Sequence, residues 1–463
     1  MKPETPDFPE PTTFALPVPD DARRRLARGW LALGLAALIG SGLYSILLVL
    51  ARAPFAQRLL PSTDFFHTAL VVHVDLSVLV WFIAFGGLLW SLNSTARWLR
   101  LGWAALGLAT LGTAMFMAAP FVPDPQPLMS NYIPVLRQPL FLAGLVVFAA
   151  GTGLLVLRAM VAIPLVGQYA TGAGALRFGL NTAAVATMLA LIAFAWSYAL
   201  LPVLSDARAY YELLFWGGGH VLQFTWTLLL LVAWLWLASA TGARPPLTPR
   251  VTLIFFAFGL VTVFLTPLIY YAYDVTAVEH VKLFTWLMQY GGSLAALPLS
   301  LAVVLGVGRS SRAHGAARPL KAALLASILL FGIGGGIGFL IQGSNVTIPA
   351  HYHGSIVGVT LAFMGLAYLL LPALGYAAPN EKWATVQPWL YGGGQLLHVA
   401  GLVWSGGYGV QRKVAGAAQG LQGFDQIAGM ALMGLGGLVA ILGGILFLVL
   451  VLRAMARAPQ RAV

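Results

Sequence analysis

The chain has no cysteine among its 463 residues. Disulfides, thiolate-bound metals, iron–sulfur clusters and thioether-linked haem are therefore excluded within it. Charge is scarce too. Asp, Glu, Lys and Arg make up 9% of the sequence, whereas a soluble domain carries about 25%. Carboxylates are the rarer sign, 14 against 26 Lys and Arg, for a formal net charge of +12. An excess of that size can signal nucleic acid. Here, however, the cations stand in groups between apolar segments, mostly on alternate connections, so no nucleic acid partner is expected. A cleavable signal peptide, a soluble domain and a convincing internal repeat are also missing, and the last removes support for an inverted-repeat transporter.

What is abundant is apolar: 59% of the residues are hydrophobic. Twelve segments are long enough to cross a bilayer, at 29–51, 64–92, 99–120, 133–160, 175–203, 211–240, 249–273, 278–307, 317–342, 348–374, 386–409 and 425–455, since a crossing takes about 20 residues. The expected fold class is all-α, a polytopic membrane protein whose twelve-transmembrane-helix bundle fills residues 28–457 and sits in membrane lipid. Residues 1–27, Pro-rich and polar at the start, are expected to form a disordered cytoplasmic tail, and residues 458–463 a C-terminal one. Strong cationic groups lie at Arg23, Arg24, Arg25 and Arg28; at Arg97 and Arg100; at Arg244 and Arg250; at Arg309, Arg312, Arg318 and Lys321; and at Arg453, Arg457 and Arg461. The positive-inside rule then puts both termini in the cytoplasm.

The candidate chemistry is carried by histidine. In Ala350-His351-Tyr352-His353-Gly354, two imidazoles stand at i and i+2 just inside the tenth segment. On a helix they project about 200° apart and cannot share one small site. Either two metal centres flank this helix or the two rings make unrelated polar contacts. His73 lies inside the second segment, and His220 follows Trp216-Gly217-Gly218-Gly219 in the sixth, where three glycines let something bulky approach the backbone. Segments two, six and ten run in the same direction, and in each the histidine falls near the outer end. Ionisable residues inside a membrane point to function by default, and four at one depth favour metal ligation over four separate hydrogen bonds. His314 belongs to a cationic loop and is read as solvated, His67 as interfacial, and His398 as a buried hydrogen-bonding residue.

These residues resemble the catalytic subunit of the heme–copper oxidoreductase superfamily, which includes terminal oxidases and nitric oxide reductases. The resemblance extends over nearly all twelve segments. Its most specific element is the pair His351 and His353; Gly406-Gly407-Tyr408-Gly409-Val410-Gln411-Arg412-Lys413 is similar to the family's Gly-x-x-Arg-Arg segment. The stretch from His73 to Gly87, and Gly335 to Ile341, look most like nitric oxide reductases. The resemblance implies that His73 and His353 are the axial ligands of a low-spin haem and that His351 holds a high-spin haem. It further implies that His220 binds a second metal facing that haem, and that Arg412 and Lys413 pair with haem propionates. It implies a bacterial inner membrane location and an electron-donating second subunit, cupredoxin-like or of cytochrome c type, on the outer face.

The sequence also departs from the family. Two adjacent histidines belong near the end of the seventh segment, where this chain reads Tyr273-Asp274, with Glu279 and His280 six residues on. The expected second-metal set is His220 with Asp274 and either Glu279 or His280. The alternative is that these are ordinary loop residues and the metal is weakly held or absent. Oxygen reductases place a redox-active tyrosine four residues after the sixth-segment histidine or on the seventh segment. Phe224 stands at the first place, and Val251 to Phe258 contain no tyrosine. Tyr270, Tyr271 or Tyr273 could still reach the site, so Tyr273 joins His220, Asp274 and Glu279 as a candidate catalytic residue. Phe224 equally fills the place where nitric oxide reductases carry a glutamate. Splitting dioxygen draws four electrons and needs that tyrosine; coupling two nitric oxide molecules needs two electrons. A site with few imidazoles and a carboxylate also suits non-haem iron better than copper. The expected reaction is reduction of nitric oxide to nitrous oxide. The alternatives are reduction of dioxygen to water and a haem membrane protein without turnover. Because acidic residues (Asp64, Asp75, Asp206, Glu212, Asp274, Glu279) gather on the outer side, protons are expected from outside, with weak pumping or none.

Overall fold

The computed structural model describes residues 12–53, 63–164 and 170–457. Residues 1–11 and 458–463, both assigned to tails, lie outside the described residues. Residues 12–27, expected to be disordered, are ordered. Phe14 is fully buried and its backbone N–H donates to Ser239 Oγ at 2.8 Å. The first helix already starts at Ala22, capped by Asp21, whose side chain accepts from Arg23 N. An apolar residue that finds a core and a capping carboxylate were enough to order a segment whose composition looked like a tail.

Long helices follow in chain order: α1 Ala22–Arg52, α2 Phe65–Leu92, α3 Leu99–Phe121, α4 Pro139–Val161, α5 Gly172–Leu200, α6 Ala207–Ala240, α7 Pro249–Ala272, α8 Val278–Gly308, α9 Ala317–Gly338, α10 Thr347–Ala373, α11 Glu381–Gly407 and α12 Phe424–Ala456. Among the described residues, eleven of these are long and apolar enough to cross a membrane, and the chain is an integral membrane protein. α11 is the exception: it has 27 residues, but Gln387, Gln395, His398 and its charged first turn dilute the apolar run. It is packed tightly all the same. A Cβ at Gly394 would overlap the backbone of Ala440 in α12, and one at Gly401 the backbone of Met433, so small residues let these helices touch main chain to main chain.

The all-α expectation has one departure with consequences for the site. The fourth segment begins at Pro139, not at residue 133. Before it, Pro127–Leu128 (β1) and Val135–Leu136 (β2) pair antiparallel, with Pro127 opposite Leu136. Pro134 disfavours helix at the preceding residue, so this apolar stretch stays extended. The loop between the strands carries Asn131 and Tyr132 into the end of the bundle at which α1 finishes.

The histidine-bearing helices form the centre. The buried share is 83% in α6, 78% in α10 and 67% in α2, against 50% or less in each of the other eight. α2 contains a π-helical stretch, Asp75–Val80, beginning two residues after His73, and α8 another at Leu287–Gly291. Such stretches recur at functional sites because they re-aim side chains within a helix.

Candidate active site

Each candidate haem-ligand imidazole is tethered through Nδ1. His351 Nδ1 lies 2.7 Å from the Gly334 carbonyl in α9. His73 Nδ1 lies 3.0 Å from both the carbonyl and the hydroxyl of Ser41 in α1. His353 Nδ1 is 3.3 Å from Gln395 Oε1 in α11, and His220 Nδ1 is 2.7 Å from the Trp216 carbonyl one turn earlier. An acceptor at Nδ1 keeps the proton there and leaves the lone pair on Nε2, which is how metal-binding imidazoles are oriented. His351 faces α9 and His353 faces α11, so the i, i+2 spacing does send the two rings to different neighbours. Local packing explains the His351 side. α9 and α10 touch at Gly334 and Gly354, where a Cβ on Gly354 would lie 2.5 Å from Gly334 Cα, and a Cβ on Gly338 would lie 3.0 Å from the His351 ring. His353 and His73 are close enough for their charges to interact, with Arg52 in the same range. The His398 ring lies 4.5 Å from that of His353, tilted by 52°, and its Nδ1 lies 2.9 Å from the Met433 carbonyl.

Among the described residues the cations at this end of the bundle form no ion pair, and the nearby carboxylate is Glu212, which favours the charged form of Lys413 from a distance. Arg412 donates to Asn131 Oδ1 at 3.1 Å and to Ser344 Oγ at 3.1 Å. Lys413 donates to the Met129 carbonyl at 2.5 Å and to the same Asn131 oxygen at 3.3 Å. Burial first, then the neighbouring Arg412 charge, pull the Lys413 ammonium down to about 8. Arg52, at the end of α1, has Nε and Nη2 buried with no hydrogen-bond partner among the described residues. Among the described residues none of the three forms a salt bridge; the ion pairs found are Arg23–Asp21, Arg24–Asp20 and Arg318–Glu381, at the other end. A cation with buried, unpartnered nitrogens, as at Arg52, is costly, and propionate-bearing groups held by the Nε2-facing histidines would supply anions to it and to the half-buried Arg412 and Lys413. The residues present thus fit haem. Arg52 was not singled out from sequence; its only signal was a cation at the end of the first span, on the side otherwise poor in them.

His220 has a partner that sequence reasoning missed. Its Nε2 lies 2.8 Å from the hydroxyl of Tyr132, and the two rings are 4.7 Å apart. A Cβ at Gly219 would overlap the Tyr132 ring, one at Gly218 the Phe194 ring, and one at Gly217 would lie 2.5 Å from the Tyr270 hydroxyl. The three glycines therefore admit three aromatic side chains. Burial, then Tyr352 and Glu212, push the Tyr132 hydroxyl well above the usual phenol range. Glu212 itself accepts from Asn131, including its backbone N–H at 3.0 Å. Tyr270 bonds to Ser197 Oγ at 2.7 Å and to the Ala193 carbonyl at 3.0 Å. Phe224 is buried.

The expected second-metal set is not brought together. Among the described residues no three His, Asp or Glu side chains are grouped to hold a metal ion. Asp274 instead closes its own turn, accepting from Thr276 N at 2.8 Å and Thr276 Oγ1 at 2.5 Å, and those bonds hold its carboxyl below the usual carboxylate range. Asp274, Glu279 and Tyr273 are exposed. His280 is buried between Tyr270 and Phe284, with ring separations of 4.8 and 4.9 Å, and among the described residues neither of its nitrogens has a hydrogen-bond partner. The reason is local: α7 ends at Ala272 and α8 starts at Val278, and the short connection between them folds on itself. His67 Nε2 lies 3.0 Å from the Lys413 carbonyl, and His314 is exposed.

Residues 25–456 match the family described as cytochrome c and quinol oxidase polypeptide I. The chain is 28% identical to an uncharacterized protein of Rickettsia prowazekii (strain Madrid E) over 91% of this chain and 94% of that one. It is 27% identical to an uncharacterized protein of Aquifex aeolicus (strain VF5) over 78% and 88%. Among solved structures, a heme–copper terminal oxidase dimer determined by cryo-EM superposes with a TM-score of 0.72 at 15% identity, covering 96% of this chain and 86% of that one. With the fold, the tethered histidines and a match over nearly the whole chain in agreement, this protein belongs to the cytochrome c and quinol oxidase polypeptide I family, the subunit I of heme–copper oxidases, and is a respiratory oxidoreductase.

Proposed function

We propose that this chain reduces nitric oxide to nitrous oxide. The observation that carries the reading is Phe224, buried four residues after His220, where a radical-forming tyrosine would stand in an oxygen reductase. His73 and His353 are the proposed ligands of a low-spin haem, His351 of a high-spin haem, and His220 of a second metal; Arg52, Arg412 and Lys413 would hold the propionates. When bound, these groups would relay the donor's electrons and supply the site at which the gas is reduced. The chain's own contribution is to fix the imidazoles through Gly334, Ser41, Gln395 and Trp216, and to keep the centre dry among the most buried helices. An electron-donating partner subunit, cupredoxin-like or of cytochrome c type, is proposed at the end carrying Arg412 and Lys413, which we read as outer. On the same reading both termini are cytoplasmic, in a bacterial inner membrane, and α11 is the twelfth span.

Nitrous oxide production from nitric oxide by the purified complex tests the proposal. Oxygen consumption without nitrous oxide overturns it in favour of the second reading, dioxygen reduction. Two phenols favour that alternative, Tyr132 on His220 and Tyr270 beside Gly217.

A further inference from the structure

Far from the histidines, the end of α12, the first turn of α11 and the connection between α10 and α11 enclose a cavity of about 200 Å³. A site for a whole drug-sized ligand runs to about 300–1,000 Å³, so this one suits a single headgroup. Arg453 and Arg457 line it together with Asn380 and Trp383, over the apolar Leu450 and Ala454. Neither arginine is ion-paired among the described residues, and Glu381, the carboxylate next to Asn380, is taken by Arg318 at 3.6 Å. The walls are fixed. Ala377 N–H donates to the Ala454 carbonyl at 3.2 Å, Arg28 donates to the Leu374 carbonyl at 2.5 Å, and its guanidinium lies 4.9 Å from the centre of the Tyr376 ring.

What surrounds the cavity identifies its occupant. Val449, Ile445 and Leu442 stand four, eight and eleven residues before Arg453, and all three are exposed; that spacing puts them on one stripe of α12 with the arginine. Val386 follows the exposed Trp383 in the same way on α11. Exposed apolar side chains on a spanning helix meet acyl chains, while the ends of spans lie at headgroup level, where tryptophan is enriched. A lone arginine at the end of a span marks only orientation. Here two of them share a cavity with an indole at the head of an apolar stripe. We propose that this cavity binds an anionic phospholipid, its phosphate held by Arg453 and Arg457 and its chains lying along the 442–449 face. Free phosphate would meet the same arginines but gain nothing from the stripe.

The test uses the purified complex, stripped of lipid in detergent and supplied with phosphatidylglycerol or phosphatidylcholine, with bound lipid counted by native mass spectrometry. Wild-type protein is expected to hold a phosphatidylglycerol that Arg453→Gln/Arg457→Gln binds about thirtyfold more weakly, the combined effect of two basic residues at an anionic headgroup. Arg309→Gln/Arg312→Gln, in another cationic connection, should bind as wild type does. A photoactivatable group on the phosphatidylglycerol headgroup gives a readout that needs no variant: crosslinks to wild-type protein should map to residues 378–383 or 450–457. It decides the matter if the double variant fails to fold. Equal phosphatidylglycerol binding by wild type and the Arg453/Arg457 variant, equally tight phosphatidylcholine, or crosslinks spread over the other cationic connections overturns the proposal. So does release of the lipid by inorganic phosphate alone, which would make the cavity a site for the free anion.

Discussion

The Gly334 carbonyl holds Nδ1 of His351 at 2.7 Å, across a crossing of α9 and α10 so close that a Cβ on Gly334 would overlap the backbone of Ser355. One small residue therefore sets both the spacing of two helices and the direction of a ligand. Gly334→Val should push the helices apart, at a cost of about 1–3 kcal/mol for overpacking, and release the ring. The expected result is loss of the high-spin haem with the low-spin haem retained, read as haem per protein and by the two absorption signatures.

Opposite neighbours for His351 and His353 lead to a sharper expectation. His73→Ala and His353→Ala should abolish the same low-spin spectrum, while His351→Ala should leave it intact. Electron paramagnetic resonance of the three variants distinguishes them. If His351→Ala and His353→Ala remove one and the same haem, two centres on one helix is the wrong description.

Much of the fold and of the candidate site was legible in the sequence, because the four tethered histidines sit in long apolar runs where a polar ring has few innocent explanations. His73, His220, His351 and His353 could be picked out by depth alone, and eleven of the twelve expected apolar stretches by length. What could not be read lies in connections. Asn131-Tyr132 looks like any polar loop until a two-strand hairpin turns it inward, and Asp274 looks like a ligand until Thr276 captures it. Periodicity reports which face of a helix is buried, but not which way a loop folds back onto it. Arg52 was obscured for a related reason: its missing partner is recognisable only once the neighbours are placed.

Arg52→Met should weaken the low-spin site without touching the high-spin one. Hydrogen bonds to a charged group contribute about 1.5–3 kcal/mol, so haem retention at that site is expected to fall about ten- to a hundredfold. Removing a cation beside an anionic haem also favours its oxidised state, and the midpoint potential of the remaining low-spin haem should drop. An unchanged potential would show that Arg52 does not face it.

Lys413 makes a prediction about pH. Its folded pKa of about 8 lies below the lysine value of 10.5. Between those values the unfolded chain binds more protons than the folded one, so this residue makes folding stability rise with pH across that window and adds nothing further above it. Below about 8 both states are protonated and the cost of burying the charge is paid in full. Melting curves of haem-stripped protein should show this rise, and Lys413→Met should flatten it. In haem-loaded protein a carboxylate beside Lys413 stabilises the ammonium, and the window should narrow.

The distribution of carboxylates bears on where protons enter. At the end of the bundle read as cytoplasmic, Asp20, Asp21 and Glu381 are each ion-paired with an arginine, and α6 and α10 carry no Asp, Glu or Lys beyond their histidines toward that end. At the opposite end Glu212 reaches Asn131, next to the tyrosine that touches His220. A carboxylate there, adjoining a chain of polar groups, can pass protons inward, whereas the apolar half offers no ionisable relay. Turnover in liposomes should therefore consume protons from the outer medium and leave no net acidification outside. Glu212→Gln should slow turnover with haem content unchanged. Outward proton release in step with substrate reduction would overturn this account of the proton supply.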